Sequence, residues 1–145
     1  NSSAASDVYK RQREYSTQII GNIAAGSLAE SDTVPSTIYM EKPLGKNEYV
    51  VRVEGKSMEP LIPDGSLVIM RRHTAPPIPK PGTIVEYNDG RGVTLKKLIR
   101  RKNAETGKTE YVLQPINPAF KDITPMDGGS ISGIYMETLV NYRKG

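Results

Sequence analysis

Two short stretches carry residue types able to do chemistry together. In Val53-Glu54-Gly55-Lys56-Ser57-Met58-Glu59-Pro60, a strand-like run ends in a glycine turn that presents a serine. Glycine permits a sharp turn, and backbone N–H groups around such a turn can form an oxyanion hole. Taken alone, Ser57 reads as an ordinary loop serine. In Thr94-Leu95-Lys96-Lys97-Leu98, a lysine pair interrupts an otherwise apolar run. Strand alternation sends the two lysines to opposite faces, so one of them faces inward or along a cleft. Alternation does not decide which one, although it groups Lys97 with Val93, Leu95 and Ile99. An inward lysine calls for a partner or a purpose. A serine hydroxyl is a weak nucleophile that needs a base. A solvated lysine costs roughly 4.6 kcal/mol to deprotonate at pH 7. Burial removes that cost by disfavouring the ammonium. A Ser-Lys dyad therefore requires its lysine on a core strand, and the second stretch supplies a candidate.

Composition narrows the alternatives. The 145 residues include no cysteine, which excludes a disulfide framework, a thiolate zinc site and a cysteine nucleophile. The single histidine, His73, sits beside Arg71 and Arg72 ahead of a Pro-rich stretch and reads as a solvated loop residue. No cofactor and no metal site is expected. No apolar run approaches the roughly 18–20 residues of a membrane span. The net charge of +4 permits nucleic-acid contact without arguing for it. Arg100, Arg101 and Lys102 read as a solvated lead-in to the Asn103–Lys108 turn. Lys56, next to the serine, is given no role.

The elements that must position the serine and the lysine are short strands separated by turns. Strands are expected at Thr17–Ala24, Ser36–Met40, Glu48–Glu54, Ser66–Arg72, Thr83–Asn88, Gly92–Ile99, Thr109–Gln114 and Ile131–Val140. Glu48–Glu54 alternates, with Tyr49, Val51 and Val53 on one face and Val50, Arg52 and Glu54 on the other. Asp89-Gly90 signals a hairpin. Gly26–Pro35 reads as a Ser-rich loop and Ala75–Gly82 as a stiff extended piece. Long amphipathic helices are missing, so the expectation is an all-β, mostly antiparallel domain with few short helices or turns.

Four motifs in order make the sequence resemble the LexA-type self-cleaving repressors, a family shared with UmuD and many phage repressors. Gly55–Pro60 with Ile62-Pro63-Asp64-Gly65 resembles the nucleophile motif, and Val93–Leu98 the lysine strand. Gln114-Pro115-Ile116-Asn117-Pro118-Ala119-Phe120 resembles the segment that follows it, and Gly21-Asn22-Ile23-Ala24-Ala25-Gly26 the self-cleavage site. The resemblance runs from about residue 18 to 140. It implies a LexA/signal-peptidase-like β fold with Ser57 as nucleophile and Lys96 as general base. Backbone amides of Ser57 and Met58 would hold the oxyanion, and the scissile bond would join Ala25 to Gly26. It further implies a cytoplasmic homodimer whose cleavage is stimulated by a RecA filament. DNA would be bound only through an N-terminal domain expected to be absent from this chain. The resemblance leaves open a UmuD-like accessory subunit of a translesion polymerase, a signal-peptidase-like endopeptidase, or a non-catalytic interaction module. Residues 13–35 are expected to form a linker and cleavage-site arm, and 36–145 the peptidase and dimerisation domain. Residues 1–12 are expected to be an artefactual or disordered leader, since Ser2–Gln12 resembles a translated sequencing adapter.

Overall fold

The computed structural model describes residues 14–24, 36–74 and 76–145. The leader and the Ala25–Gly26 bond fall outside the described residues. Among those described there is no helix; nine strands account for the regular structure. They are β1 (Tyr15–Ala24), β2 (Ser36–Met40), β3 (Glu48–Glu54), β4 (Leu67–Arg72), β5 (Ile84–Asp89), β6 (Gly92–Lys102), β7 (Thr109–Gln114), β8 (Ser130–Thr138) and β9 (Tyr142–Lys144). The all-β expectation holds.

The strands form one sheet in the order β7-β6-β5-β8-β4-β3-β1-β2-β9, with a further β6–β1 pairing. That extra pairing closes β6, β5, β8, β4, β3 and β1 into a ring, flanked by β7 on one side and by β2 and β9 on the other. Pairing is antiparallel except where β1 runs parallel to β3 and to β6. The far end of β1 is thus held between the strand that leads to Ser57 and the strand that bears Lys96.

Residue pattern explains most of this. The faces of β3 divide as alternation requires. Tyr49, Val51 and Val53 join one core with Ile23, Met58, Ile62, Val68, Met70 and Leu95. Val50 joins a second core with Ile19, Ile38, Met40, Leu67 and Ile69. Each such side chain, fully buried, contributes about 1.5–3 kcal/mol. A third core of Val85, Tyr87, Leu98 and Leu113 ties β5 to β6 and β7. The Asp89-Gly90 signal is a hairpin, with Asp89 in register with Gly92.

Several strand bounds differ from the sequence reading by one to three residues, and one strand is additional. β1 starts at Tyr15, because Tyr15 and Ser16 pair with Met40 and Tyr39 of β2. β6 runs on to Lys102, because Arg100, Arg101 and Lys102 pair with Tyr111, Glu110 and Thr109 of β7 while staying exposed to solvent. β9 was not expected, since three residues, two of them basic, carry no periodicity; its pairing with β2 makes it a strand.

Candidate active site

Ser57 sits at the head of a loop whose base is pinned across its two ends. Gly55 turns the chain out of β3 at φ 106°, a left-handed conformation natural to glycine. The Gly55 N–H donates to Asp64 Oδ1 at 2.8 Å, and the Gly65 N–H donates to the Val53 carbonyl at 2.7 Å. Met58 and Ile62 anchor the loop from inside, both without solvent exposure, and a 2.8 Å bond from Ile62 N–H to the Met58 carbonyl spans them. The motif thus places an apolar residue directly after Ser57, and its burial draws the serine beneath the surface. Lys56, on the other side of Ser57, is exposed.

Lys96 lies on β6 and is likewise without solvent exposure. Its Nζ lies 3.0 Å from Ser57 Oγ, 2.8 Å from Thr94 Oγ1 and 3.2 Å from the Leu95 carbonyl oxygen. Burial lowers its pKa from 10.5 to about 8. Deprotonation at pH 7 then costs about 1.4 kcal/mol, one pKa unit. The neutral amine has two N–H donors and one lone pair. Thr94 Oγ1 and the Leu95 carbonyl can take the two N–H groups, which leaves the lone pair for the Ser57 hydroxyl. That is the arrangement a general base needs, at the distance proton transfer requires.

Lys97 is only half-buried and lies on the Val93, Leu95 and Ile99 face, as alternation grouped it. The inward lysine is nevertheless Lys96. The reason is that Thr94, Leu95 and Lys96 are all buried, so both faces of β6 are covered there. Alternation tells in from out only where one face meets water.

β1, the described part of the expected cleavage-site arm, reaches the same place. β1 enters register with β3 at Asn22↔Arg52, Ile23↔Val53 and Ala24↔Glu54, and Ala24 is also in register with Thr94. Ile23 is buried in the core beneath the serine loop. Asn22 Nδ2 donates to Glu54 Oε1 at 2.6 Å. Ala24, the last described residue of the arm, is followed in sequence by the expected scissile residues Ala25 and Gly26. His73 stands apart from this site. It is half-buried, its N–H donates to the Ser132 carbonyl at 3.0 Å, and it lines an apolar cleft with Tyr87, Leu98 and Tyr111 that includes neither Ser57 nor Lys96.

Residues 18–133 match the Peptidase S24-like family. The chain belongs to that family. The match spans both dyad candidates, the arm from Gln18 onward and the segment after β7, and it makes the chain a LexA/UmuD-like serine peptidase domain. Comparison with curated proteins finds no match to this chain. No helix among the described residues of this S24-like domain is long and apolar enough to cross a membrane.

Sequence reasoning gave two residues of this site no part. Thr94 belonged to the lysine motif, yet only the fold brings its hydroxyl to Lys96. Asn117 belonged to the segment after β7, yet only the fold brings it under the serine loop, where it bonds the backbone of Lys56 and Ser57. The one local signal was the Asn-Pro pair, which marks a turn.

Proposed function

We propose that this domain cuts its own chain between Ala25 and Gly26, with Ser57 as nucleophile and Lys96 as general base. The observation that carries the reading is the 3.0 Å contact between Lys96 Nζ and Ser57 Oγ, made with both residues shut off from solvent. The register of Ala24 with both Thr94 and Glu54 supports it, because the strand that precedes Ala25 in sequence is seated between the strand leading to Ser57 and the strand bearing Lys96.

In this mechanism Ser57 Oγ attacks the Ala25 carbonyl carbon as its proton passes to neutral Lys96. Backbone N–H groups of Ser57 and Met58 hold the resulting oxyanion. Collapse breaks the bond to the Gly26 nitrogen, which leaves as an amine with the proton carried by Lys96. The ester of Ser57 with Ala25 is then hydrolysed by water, with Lys96 again taking a proton.

Membership in the S24-like family and the four motifs support the wider reading. The domain is the self-cleaving part of a cytoplasmic LexA-like repressor that acts in the response to DNA damage. It pairs with a second copy of itself, a RecA filament favours its cleavable conformation, and DNA is read by a separate N-terminal domain. The test is mass spectrometry of the purified protein held at alkaline pH. A cut after Ala25 is expected, and Ser57→Ala and Lys96→Ala should each abolish it. An intact parent chain, both at high pH and with activated RecA, refutes self-cleavage. Cleavage that survives Lys96→Ala but not Lys97→Ala would show that the base is Lys97 and overturn the assignment to Lys96.

A further inference from the structure

Asn117 makes two hydrogen bonds to the loop that carries the serine. Its backbone N–H donates to the Ser57 carbonyl at 2.8 Å, and its Nδ2 donates to the Lys56 carbonyl at 3.0 Å. The side chain is itself held, since Asn117 Oδ1 accepts the Ala119 N–H at 3.0 Å. The two carbonyls it binds belong to consecutive peptide planes, one on each side of the Ser57 α-carbon. Both peptides are trans, and in a planar trans peptide the C=O and N–H point in opposite directions.

Direction follows from that geometry. Drawing the Lys56 carbonyl toward Asn117 turns the Ser57 N–H away from it. Drawing the Ser57 carbonyl the same way does this for the Met58 N–H. Neither N–H has an acceptor among the described residues, although Ser57 and Met58 are both fully buried. Buried N–H groups almost always find partners. Two left open beside a candidate nucleophile are placed to receive an oxygen atom.

We propose that Asn117 is a positioning residue that aims the Ser57 and Met58 N–H groups as the oxyanion hole. The proposal rests on the reading of Ser57 as nucleophile. Asn117 touches no reacting atom. It acts through the two peptide planes, and among the described residues no hydrogen bond joins it to Lys96. Its loss therefore lowers the rate of the chemical step without changing the titration of the base.

The test is the pH–rate profile of self-cleavage for Asn117→Ala and Asn117→Ser, the serine retaining an oxygen able to accept the Ala119 N–H. Losing one oxyanion donor outright costs about 10²–10³ in rate, so a misaimed pair should cost about tenfold or more at the alkaline plateau. The midpoint of the profile should stay at the parent value. A plateau within about twofold of the parent overturns the proposal, as does a loss of rate that comes with a displaced midpoint. A second readout is independent of cleavage. In the Ser57→Ala chain, the amide resonances of positions 57 and 58 should move on Asn117→Ser, while those of β5 stay fixed. If the parent chain never cuts but these resonances move, the peptidase reading falls and the aiming of the amides stands. Unmoved resonances overturn the proposal in either case.

Discussion

Two polar clusters lie within the sheet, and they treat charge in opposite ways. Around Glu86 the groups satisfy one another. Tyr49 Oη donates to Glu86 Oε1 at 2.9 Å, the Ser132 hydroxyl donates to Glu86 Oε2, and Asn88 Nδ2 donates to Ser132 Oγ at 3.0 Å. The Arg72 guanidinium lies 5.1 Å from the centre of the Tyr49 ring. Burial first, and the Glu86 charge second, push the Tyr49 hydroxyl above its ordinary range, so it stays a donor. This cluster ties β3, β5 and β8 together and holds its carboxylate with hydroxyl donors. Around Lys96 there is no carboxylate partner among the described residues: the amine has a serine, a threonine and a backbone carbonyl. A buried cation held only by neutral groups is easily discharged, and a discharged lysine is a base. The contrast separates a structural tie from a chemical group better than burial alone, because both clusters are buried or half-buried.

The largest expected effect comes from removing the proposed base. Lys96→Met should lower the self-cleavage rate by about 10²–10⁴, the usual worth of general-base catalysis, measured by the appearance of the fragment ending at Ala25. The same substitution at Glu86 should leave the plateau rate of the folded protein near the parent value. Equal losses at the two sites would erase the distinction.

Stability should show the reverse signature. Burial lowers the folded-state pKa of Lys96 to about 8, below the ordinary 10.5 of the unfolded chain. Between those values the unfolded state binds more protons, so stability rises with pH across that window and is lowest below it. Denaturant unfolding in the Ser57→Ala background should therefore gain up to about 3 kcal/mol from pH 7 to 10.5, relative to the same chain with Lys96→Met. Identical pH dependence of the two chains would mean that Lys96 is not desolvated.

Breaking the Glu86 cluster should cost stability at every pH. Glu86→Ala strands the Tyr49 and Ser132 hydroxyls and should destabilise by about 1–3 kcal/mol, read from the unfolding midpoint. The smallest effect belongs to the arm. Glu54→Ala removes the acceptor of the Asn22 amide, a contact at the surface, and should slow cleavage about three- to tenfold with little change in the pH midpoint.

Legibility in the sequence followed the same physical divide. The two faces of β3 and the β5–β6 hairpin were readable because strict alternation and Asp-Gly are local signals. Ser57 was readable as a glycine-turn serine, and Lys96 and Lys97 as a pair of which one faces in. Choosing between them by alternation failed where both sides of β6 are covered, and only the motif resemblance pointed to Lys96. The parallel seating of β1 between β3 and β6 is a long-range pairing with no local pattern. The contacts of Asn117 join a side chain to backbone 61 residues away, which no periodicity reports. β9 is too short to show a period at all.

The most direct test of the account is the pH dependence of self-cleavage in the otherwise unaltered chain. A buried, neutralisable Lys96 predicts a single rise with a midpoint near pH 8 and a plateau above it. A rate still climbing through about pH 10.4, as for a solvated lysine, would contradict the account.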